Sequence, residues 1–301
     1  MPSLLAIKVD VDTERGTREG VLPLAELLSQ YKCPATFLFS LGPDNTGKAI
    51  RRIFRKGFIS KVRRTNVAGN YGLRTLLNGT LLPAPHIGKR NGPIIQSVKN
   101  AGFETGIHCY DHFRWQDYLH SMSLKQIRDE FGKAVEEYKR LLGEEPLSAG
   151  APGWQANAMS LQVYDENQLL WGSDTRGFFP FFPKIGNQIF KTIQIPSTLP
   201  TLDELMGLPE FPEEKLVPHY LSLIKSEGLH IHTIHAEMEG MRYLSFFREF
   251  LAKACDQGIA FVSLNQIAHN ALAQKENVPV CEVVNGEVPG RSGTLALQKK
   301  H

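Results

Sequence analysis

The 301-residue chain has only four cysteines, and no two of them stand in a C-x-x-C pair. Their scatter fits reduced thiols in a reducing compartment better than a disulfide framework. Long hydrophobic runs are also missing, since no apolar stretch approaches the roughly 20 residues that span a bilayer. The first residues lack a basic segment followed by a long apolar one. We therefore expect a protein that stays in the cytoplasm.

Acidic residues are absent over one long interval of the chain. Residues 45–103 contain no Asp or Glu but hold 12 of the 34 Lys and Arg, so that 22 basic residues face 31 acidic ones elsewhere. The net charge of +3 hides this asymmetry. The pattern predicts a basic insertion at about residues 45–95 in an acidic body.

The insertion contains an amphipathic segment. Apolar residues recur at Ile50, Ile53, Phe54 and Phe58, and cations occupy the opposite side. This pattern is typical of a helix lying on an anionic membrane surface. The residues predicted to meet lipid or a lipid phosphate are Arg51, Arg52, Phe54, Arg55 and Phe58. An ordinary helix packed on the protein body gives the same stripe. Nucleic acid ranks last as a partner, because no known nucleic-acid motif accompanies the cations.

Predicted strands and helices alternate along residues 1–271, beginning with a strand at 4–11, a helix at 22–31 and a strand at 34–41. Such alternation predicts an α/β fold with a parallel sheet closed into a barrel, in which function lies at the carboxyl ends of the strands. After Ala271 the periodicity is lost and Gly, Pro and Lys accumulate. Residues 272–301 are therefore predicted to form a C-terminal surface tail.

Candidate ligands follow three of the predicted strands. Asp10 and Asp12 end the first apolar run, and His108 and His112 are four residues apart, a spacing that would place both rings on one side of a helical turn. Together they could form an Asp/His/His metal site with open positions. His235 follows another apolar run, where a proton donor could lie. The competing interpretations are an Asp that caps a helix and His residues that are merely polar.

Other polar residues are predicted to have no direct part in the chemistry. His230 and His232 alternate with apolar neighbours, so they are predicted to pack in the barrel or to support the site. Glu237 and Glu239 are most simply solvated loop charges.

These pieces resemble the motifs of the polysaccharide deacetylase family, also called the NodB homology family, over most of residues 1 to about 270. The fold that this resemblance implies is a distorted (β/α)7-type barrel. The matching residues are Asp10 with Asp12, His108 with His112, the 150–154 segment Gly-Ala-Pro-Gly-Trp, the 171–174 segment Trp-Gly-Ser-Asp, and the 233–235 segment Thr-Ile-His.

The resemblance also implies roles. Asp12, His108 and His112 would bind one divalent metal ion, with zinc, manganese and cobalt all suitable. Asp10 would be the base and His235 the acid, held in orientation by Asp174. A backbone N–H near Gly153 or Trp154 would bind the oxyanion. The Trp154 side chain is expected to pack in the core, although a sugar ring could stack on it.

Two departures from the family pattern leave assignments open. Val11 separates aspartates that are adjacent in the common family form, so base and ligand could be exchanged between Asp10 and Asp12. Gly150 stands where the family carries an arginine that steadies the base. Arg176 or Arg15 would then take its place.

Within the family, residues 9–13, 173–177 and 234–237 are most similar to a bacterial branch that acts on a lipid-linked sugar. This similarity implies removal of the formyl group from undecaprenyl-phosphate-linked 4-deoxy-4-formamido-L-arabinose, for lipid A modification and resistance to cationic peptides. It also implies peripheral attachment to the inner face of the bacterial inner membrane. The alternatives are a deacetylase of another N-acylated sugar and a non-catalytic binder of lipid phosphate.

Overall fold

The computed structural model describes residues 3–49, 72, 74–224 and 227–299. Strands and helices alternate through most of this part of the chain, as the periodicity predicts. The strands are β1 (Leu4–Val11), β2 (Ala35–Ser40), β3 (Glu104–Cys109), β4 (Ser148–Ala149), β5 (Trp171–Gly172), β6 (Phe182–Ile185), β7 (Gln188–Ile189), β8 (Ile193–Gln194), β9 (Leu229–His235), β10 (Ala260–Phe261), β11 (Val280–Gly286) and β12 (Leu295–Gln298).

Helices cover the outside of the main sheet. They are α1 (Val21–Gln30), α2 (Ile87–Asn100), α3 (His112–Tyr118), α4 (Leu124–Leu142), α5 (Ala158–Glu166), α6 (Leu202–Leu205), α7 (Glu213–Leu223), α8 (Leu244–Asp256) and α9 (Leu264–Ala273). The described residues include no helix that is long and apolar enough to cross a membrane.

The main sheet is parallel and curls into a distorted barrel, which confirms the predicted α/β fold. β1 pairs with β2, β9 and β10, and the sheet continues from β2 through β3, β4 and β5 to β8. The amides of Thr198 and Leu199, just after β8, donate to the carbonyl of Ile231 in β9. This contact brings the two ends of the curl together.

Alternation along β1 decides which side chains enter the barrel. Leu5, Ile7 and Val9 pack in the core beneath the helices, whereas Ala6 packs with the residues that fill the barrel. Because strand side chains alternate, the even-numbered residues after Ala6 share its face. β1 therefore sends Lys8 and Asp10 into the barrel at its carboxyl end.

The predicted surface tail is wrong for residues 280–298. β11 runs parallel to β6 and antiparallel to β12, within a second sheet of order β12-β11-β6-β7. Cys281, Leu295 and Ala296 are buried there. The Gly- and Pro-rich loop between the two strands obscured a short alternating pattern, in which Cys281 and Val283 face inward. This sheet returns the end of the chain to the barrel rim.

The predicted insertion at 45–95 is only partly described. Its last residues form the start of α2, where Ile87 and Ile95 are buried in the core. That stretch is thus part of the barrel and not of a membrane-facing surface. The predicted lipid contacts lie outside the described residues; they are Arg51, Arg52, Phe54, Arg55 and Phe58.

Candidate active site and metal centre

Three predicted metal ligands meet at the carboxyl ends of β1 and β3. His108 is inside β3 and His112 is the first residue of α3, whose N-cap Asp111 accepts a hydrogen bond from the Arg114 amide at 3.0 Å. The expectation that one helical turn carries both histidines is therefore wrong. A strand and the following helix converge instead, and Asp111 fixes the point where the helix begins.

The side-chain geometry at this point fits a divalent cation. Asp12 Oδ1 lies 3.2 Å from His108 Nε2 and 3.4 Å from His112 Nε2. It is buried and has no hydrogen-bond partner among the described residues. One donor atom from each of the three residues lies within 4.8 Å of the others. Two imidazoles and a carboxylate suit zinc, manganese or cobalt.

The tautomer of His108 supports this fit. Its Nδ1 lies 2.6 Å from the carbonyl oxygen of Gly150. Since a carbonyl can only accept, Nδ1 carries the hydrogen, and the neutral ring has its lone pair on Nε2, towards Asp12. Such a second hydrogen bond commonly orients a metal-binding histidine.

A buried glutamate fixes the backbone that carries Asp12. Glu237 Oε1 accepts hydrogen bonds from the Asp12 amide at 3.1 Å, the Thr13 amide at 2.8 Å and the Thr13 hydroxyl at 2.7 Å. Burial, aided by the charge of Asp12, raises the pKa of Glu237 to about 8. Glu237 and Glu239 are both buried. The prediction that they are solvated loop charges is wrong, because the chain turns inward after β9.

Asp10 is held by a cation that sequence reasoning missed. Lys8 is fully buried, and its Nζ lies 3.3 Å from Asp10 Oδ2 and 3.3 Å from the carbonyl oxygen of Ser173. The other carboxylate oxygen of Asp10, Oδ1, is buried without a hydrogen-bond partner in the described structure. A Cβ on Gly150 would lie 2.5 Å from Leu38 Cδ1 and 3.2 Å from the Ser173 carbonyl oxygen, so close packing of the barrel interior favours glycine at this position.

Lys8 thus occupies the place predicted for Arg176 or Arg15. Arg176 pairs with Glu204, and Arg15 pairs with Glu19. The signal was available in the sequence, because Lys8 is two residues before Asp10 on the same strand and therefore shares its face.

His235 lies beside Asp10, directly opposite it in the register of β1 and β9. Glu239 Oε2 accepts a hydrogen bond from the His235 amide at 2.9 Å and so fixes the strand end. Burial alone would lower the pKa of His235, but the carboxylates of Asp12, Asp203 and Asp10 outweigh it and raise the pKa. The imidazole is therefore biased towards its charged, proton-donating form.

Asp174 does not hold His235, which corrects its predicted role. Its carboxylate accepts hydrogen bonds from the Ala151 amide at 2.6 Å, the Tyr164 hydroxyl at 3.1 Å and the Gln194 side chain at 2.9 Å. Burial raises its pKa to about 6. Asp174 instead anchors the start of the 150–154 loop, whose Gly150 carbonyl orients His108.

The predicted oxyanion donors lie in a tight turn of this loop. Gly153 and Trp154 both have positive φ angles, +60° and +54°. The Trp154 amide donates to the carbonyl of Ala151 at 3.1 Å, so it is already used, and Gly153 is the candidate that remains. Trp154 is 2% exposed, which agrees with its interpretation as a core residue and excludes the alternative of an open platform for a sugar ring.

His232 packs in the protein interior, in agreement with the prediction that it packs in the barrel. Its ring contacts Tyr220 and Phe250, with centroid separations of 4.7 and 5.6 Å. Burial lowers its pKa to about 3, so the ring is neutral at ordinary pH.

Comparisons with known proteins agree with this geometry. A crystal structure named as a polysaccharide deacetylase from Mycobacterium smegmatis matches with a TM-score of 0.64 at 18% identity, covering 95% of this chain and 94% of that one. No protein-family model matches the chain. A parallel barrel with an Asp/His/His cluster at its strand ends defines the class: the fold is that of the polysaccharide deacetylases.

Curated relatives identify the branch of this class. A Shewanella sediminis protein is 34% identical over 294 residues, covering 98% of this chain and 94% of the relative. A Wigglesworthia glossinidia brevipalpis protein is 34% identical over 287 residues, covering 95% and 99%. Both are named as a probable 4-deoxy-4-formamido-L-arabinose-phosphoundecaprenol deformylase, ArnD. The chain belongs to the ArnD deformylase family.

Proposed function

We propose that the protein hydrolyses the formamide of undecaprenyl-phosphate-linked 4-deoxy-4-formamido-L-arabinose and yields formate and the free amino sugar. This product is the form used to modify lipid A, a change that lowers affinity for cationic peptides such as polymyxin. The names of the two relatives supply the substrate. The observation that carries the chemistry is the buried Asp12 Oδ1, which lies against two histidine nitrogens without a hydrogen-bond donor.

The site residues divide into a metal-binding set and a proton-transfer set. Asp12, His108 and His112 would hold one divalent ion. When bound, such an ion supplies Lewis acidity, which polarises an amide carbonyl and lowers the pKa of water. The metal-binding set does not include Asp10, and this separation favours Asp12 as ligand and Asp10 as base.

Asp10 is the residue that we propose as the base, which accepts the proton of the attacking water. Lys8 holds Oδ2 at 3.3 Å and leaves the buried Oδ1 without a partner. A general base needs an oxygen whose lone pairs are not already occupied. Lys8 also offsets the cost of burying the carboxylate charge.

His235 is the residue that we propose as the acid, which returns a proton to the departing nitrogen. It lies opposite Asp10 across the β1 and β9 pairing, and its raised pKa favours the imidazolium. Protonation is required because an amide nitrogen leaves as a neutral amine and not as an anion. Gly153 is the backbone donor proposed for the oxyanion, and Asp174 supports its loop.

The basic insertion is proposed to dock the protein on the inner face of the inner membrane. The proposal rests on the charge pattern around Arg51, Arg52 and Arg55 and on the apolar residues between them. Leu81, near the end of the same insertion, is 81% exposed. An exposed leucine beside a cationic segment is suited to an anionic lipid surface.

Vesicle sedimentation tests this docking. Replacing Arg51, Arg52 and Arg55 together by Gln should weaken binding to anionic vesicles by about 100-fold, at roughly 1 kcal/mol per cation. A matched triple replacement of Lys125, Arg128 and Arg248, all outside the insertion, should change it little. Equal binding by the insertion variant and wild type would contradict docking by these residues.

The activity itself is tested by formate release from the lipid-linked formamido sugar. Metal-free protein should release none, and added zinc, manganese or cobalt should restore release. A soluble N-acetyl sugar is the comparison substrate. Turnover of that sugar alone would indicate a general deacetylase, and turnover of neither would indicate a binding protein.

A further inference from the structure

A second cluster of charges surrounds Trp154 on the other side of the 150–154 loop. Three cationic groups approach the centroid of its ring system: Lys8 Nζ at 5.3 Å, Arg176 Cζ at 5.1 Å and Arg291 Cζ at 4.5 Å. The indole N–H donates to Ser197 Oγ at 3.0 Å, which fixes the ring. The proposed mechanism uses Lys8 but neither arginine.

The charges of the two arginines are not balanced by their described partners. Arg176 donates to both carboxylate oxygens of Glu204 at 2.8 and 2.9 Å, and Arg291 lies 3.6 Å from one of the same oxygens. Two guanidinium groups thus share one carboxylate. Their side chains are only 11% and 12% exposed. Asp203, next to Glu204 in α6, accepts a hydrogen bond from the Thr201 hydroxyl.

One nitrogen of this cluster lacks an acceptor. Arg176 Nε is buried and has no hydrogen-bond partner in the described part of the chain. A buried surplus of positive charge with an unused N–H is costly unless an anion completes it. The cluster therefore has the charge and the donors of an incomplete anion site.

The second sheet places Arg291 in this position. The Arg176 amide donates to the Ala296 carbonyl at 3.0 Å, and the Gln298 amide donates back to the Arg176 carbonyl at 2.8 Å. The Gln155 side chain donates to the Thr294 carbonyl at 2.7 Å. The loop before β12 is thereby tied to both sides of Trp154, and it carries Arg291 over the ring.

We propose that Arg176 and Arg291 form a subsite for the phosphodiester of the substrate. This inference rests on the proposed function, because in that substrate the phosphate and the formamide are attached to the same sugar ring. A phosphate must then bind within one ring of the reacting carbon, and the 150–154 loop joins the subsite to His108. Guanidinium groups suit phosphate because their N–H donors match its oxygens.

The test measures binding to metal-free protein, so that no turnover interferes. The two probes are soluble: the formamido sugar bearing an ethyl phosphodiester at its anomeric carbon, and the neutral ethyl glycoside. Arg291→Met should weaken binding of the phosphodiester by roughly 10- to 100-fold, the range for a charged hydrogen bond. Binding of the glycoside should stay within about twofold. Arg128→Met, at an exposed arginine paired with Glu166, is the matched control.

Further arms identify the source of the anion and guard against unfolding. Inorganic phosphate should compete with the phosphodiester in wild type but far less in Arg291→Met. Arg291→Lys keeps the positive charge but lacks the paired N–H donors of a guanidinium, so its affinity for the phosphodiester should lie between those of wild type and Arg291→Met. Thermal melts of every variant report on folding. Equal loss of both probes, or no loss of either, would overturn the subsite.

Failure of the proposed function would look different. Metal-loaded wild type would then release no formate from either probe, whatever the binding data show. Phosphodiester binding that depends on Arg291 would in that case remain as an anion site without the proposed chemistry.

Discussion

The two sides of the site are opposite in charge, and each has polar groups without a partner of the opposite kind within the described structure. The acidic side, at the ends of β1, β3 and β9, comprises Asp10, Asp12, His108, His112 and His235. The basic side comprises Trp154, Arg176, Glu204 and Arg291. On the acidic side, buried carboxylate oxygens of both aspartates have no hydrogen-bond partner among the described residues. On the basic side, two arginines whose side chains are mostly shielded from solvent share one glutamate.

This difference indicates that each side is completed by a group of the opposite sign. A divalent cation would satisfy the acidic side, and a phosphate would satisfy the basic side. Lys8 stands between them, paired with Asp10 and close to the ring of Trp154. Changes on the acidic side should therefore alter chemistry, and changes on the basic side should alter recognition.

The largest effect is expected from Asp12→Asn, which removes the anionic metal ligand. Turnover should fall on the order of 10⁴-fold, because metal polarisation contributes several kcal/mol to lowering the barrier. Metal content after dialysis should fall with it. Asp129→Asn, at an exposed aspartate of α4, is the control. If the Asp12→Asn protein kept full metal content and normal turnover, Asp12 would not be a metal ligand.

His235→Asn should lower kcat by about 10³-fold, the middle of the range for a general acid. Metal content should not change, since His235 is outside the ligand cluster. A KM for the phosphodiester that stays near the wild-type value would further support the separation of chemistry on the acidic side from recognition on the basic side. Unchanged kcat would argue against the acid role.

Lys8→Met should reduce both stability and turnover, because it leaves the buried carboxylate of Asp10 without its cation. Breaking a buried pair costs about 3–5 kcal/mol of unfolding free energy. We expect kcat to fall by about 10- to 100-fold with little change in KM, and Lys8→Arg to restore most of it. Chemical denaturation and steady-state kinetics measure the two effects. An increase in KM with unchanged kcat would instead assign Lys8 to substrate recognition.

The smallest effect on activity, less than about tenfold, is expected from Asp174→Asn. Its signature is in stability, because a carboxyl with a folded pKa near 6 keeps a proton that the unfolded chain releases near 3.8. The advantage of wild type over the variant is therefore full below pH 4. It should shrink by on the order of 2–3 kcal/mol as the pH rises to about 6. Urea unfolding across this range measures it, and a difference independent of pH would contradict the assignment.

The acidic side was largely predictable from sequence, and the basic side was not. Asp12, His108 and His235 each lie at or just beyond the carboxyl end of a recognisable strand, and a parallel barrel brings the ends of its strands together. Trp154, Arg176 and Arg291 come from separate loops and Glu204 from the short helix α6, and Arg291 lies in a stretch mistaken for a tail. Their proximity depends on the pairing of β11 with β6, a long-range contact that has no signature in the local sequence.

Burial explains the remaining errors. Glu237 and Glu239 have the composition of a solvated loop, but the turn after β9 buries both, Glu237 against the Asp12 amide and Glu239 against the His235 amide. The family resemblance implies a role for Asp174 beside His235, yet its hydrogen bonds with Ala151 and Tyr164 commit it elsewhere. Sequence spacing identifies the strand end, whereas side-chain partners are settled only by packing.

The division between the two sides is tested most directly by the rate of formate release at saturating phosphodiester substrate, measured for Asp12→Asn and Arg291→Met beside wild type. We predict that Asp12→Asn loses this rate by orders of magnitude, whereas Arg291→Met keeps it within about threefold and shows its defect only at low substrate concentration. An Arg291→Met protein that folds normally but loses the saturating rate as completely as Asp12→Asn would contradict the separation of chemistry from recognition.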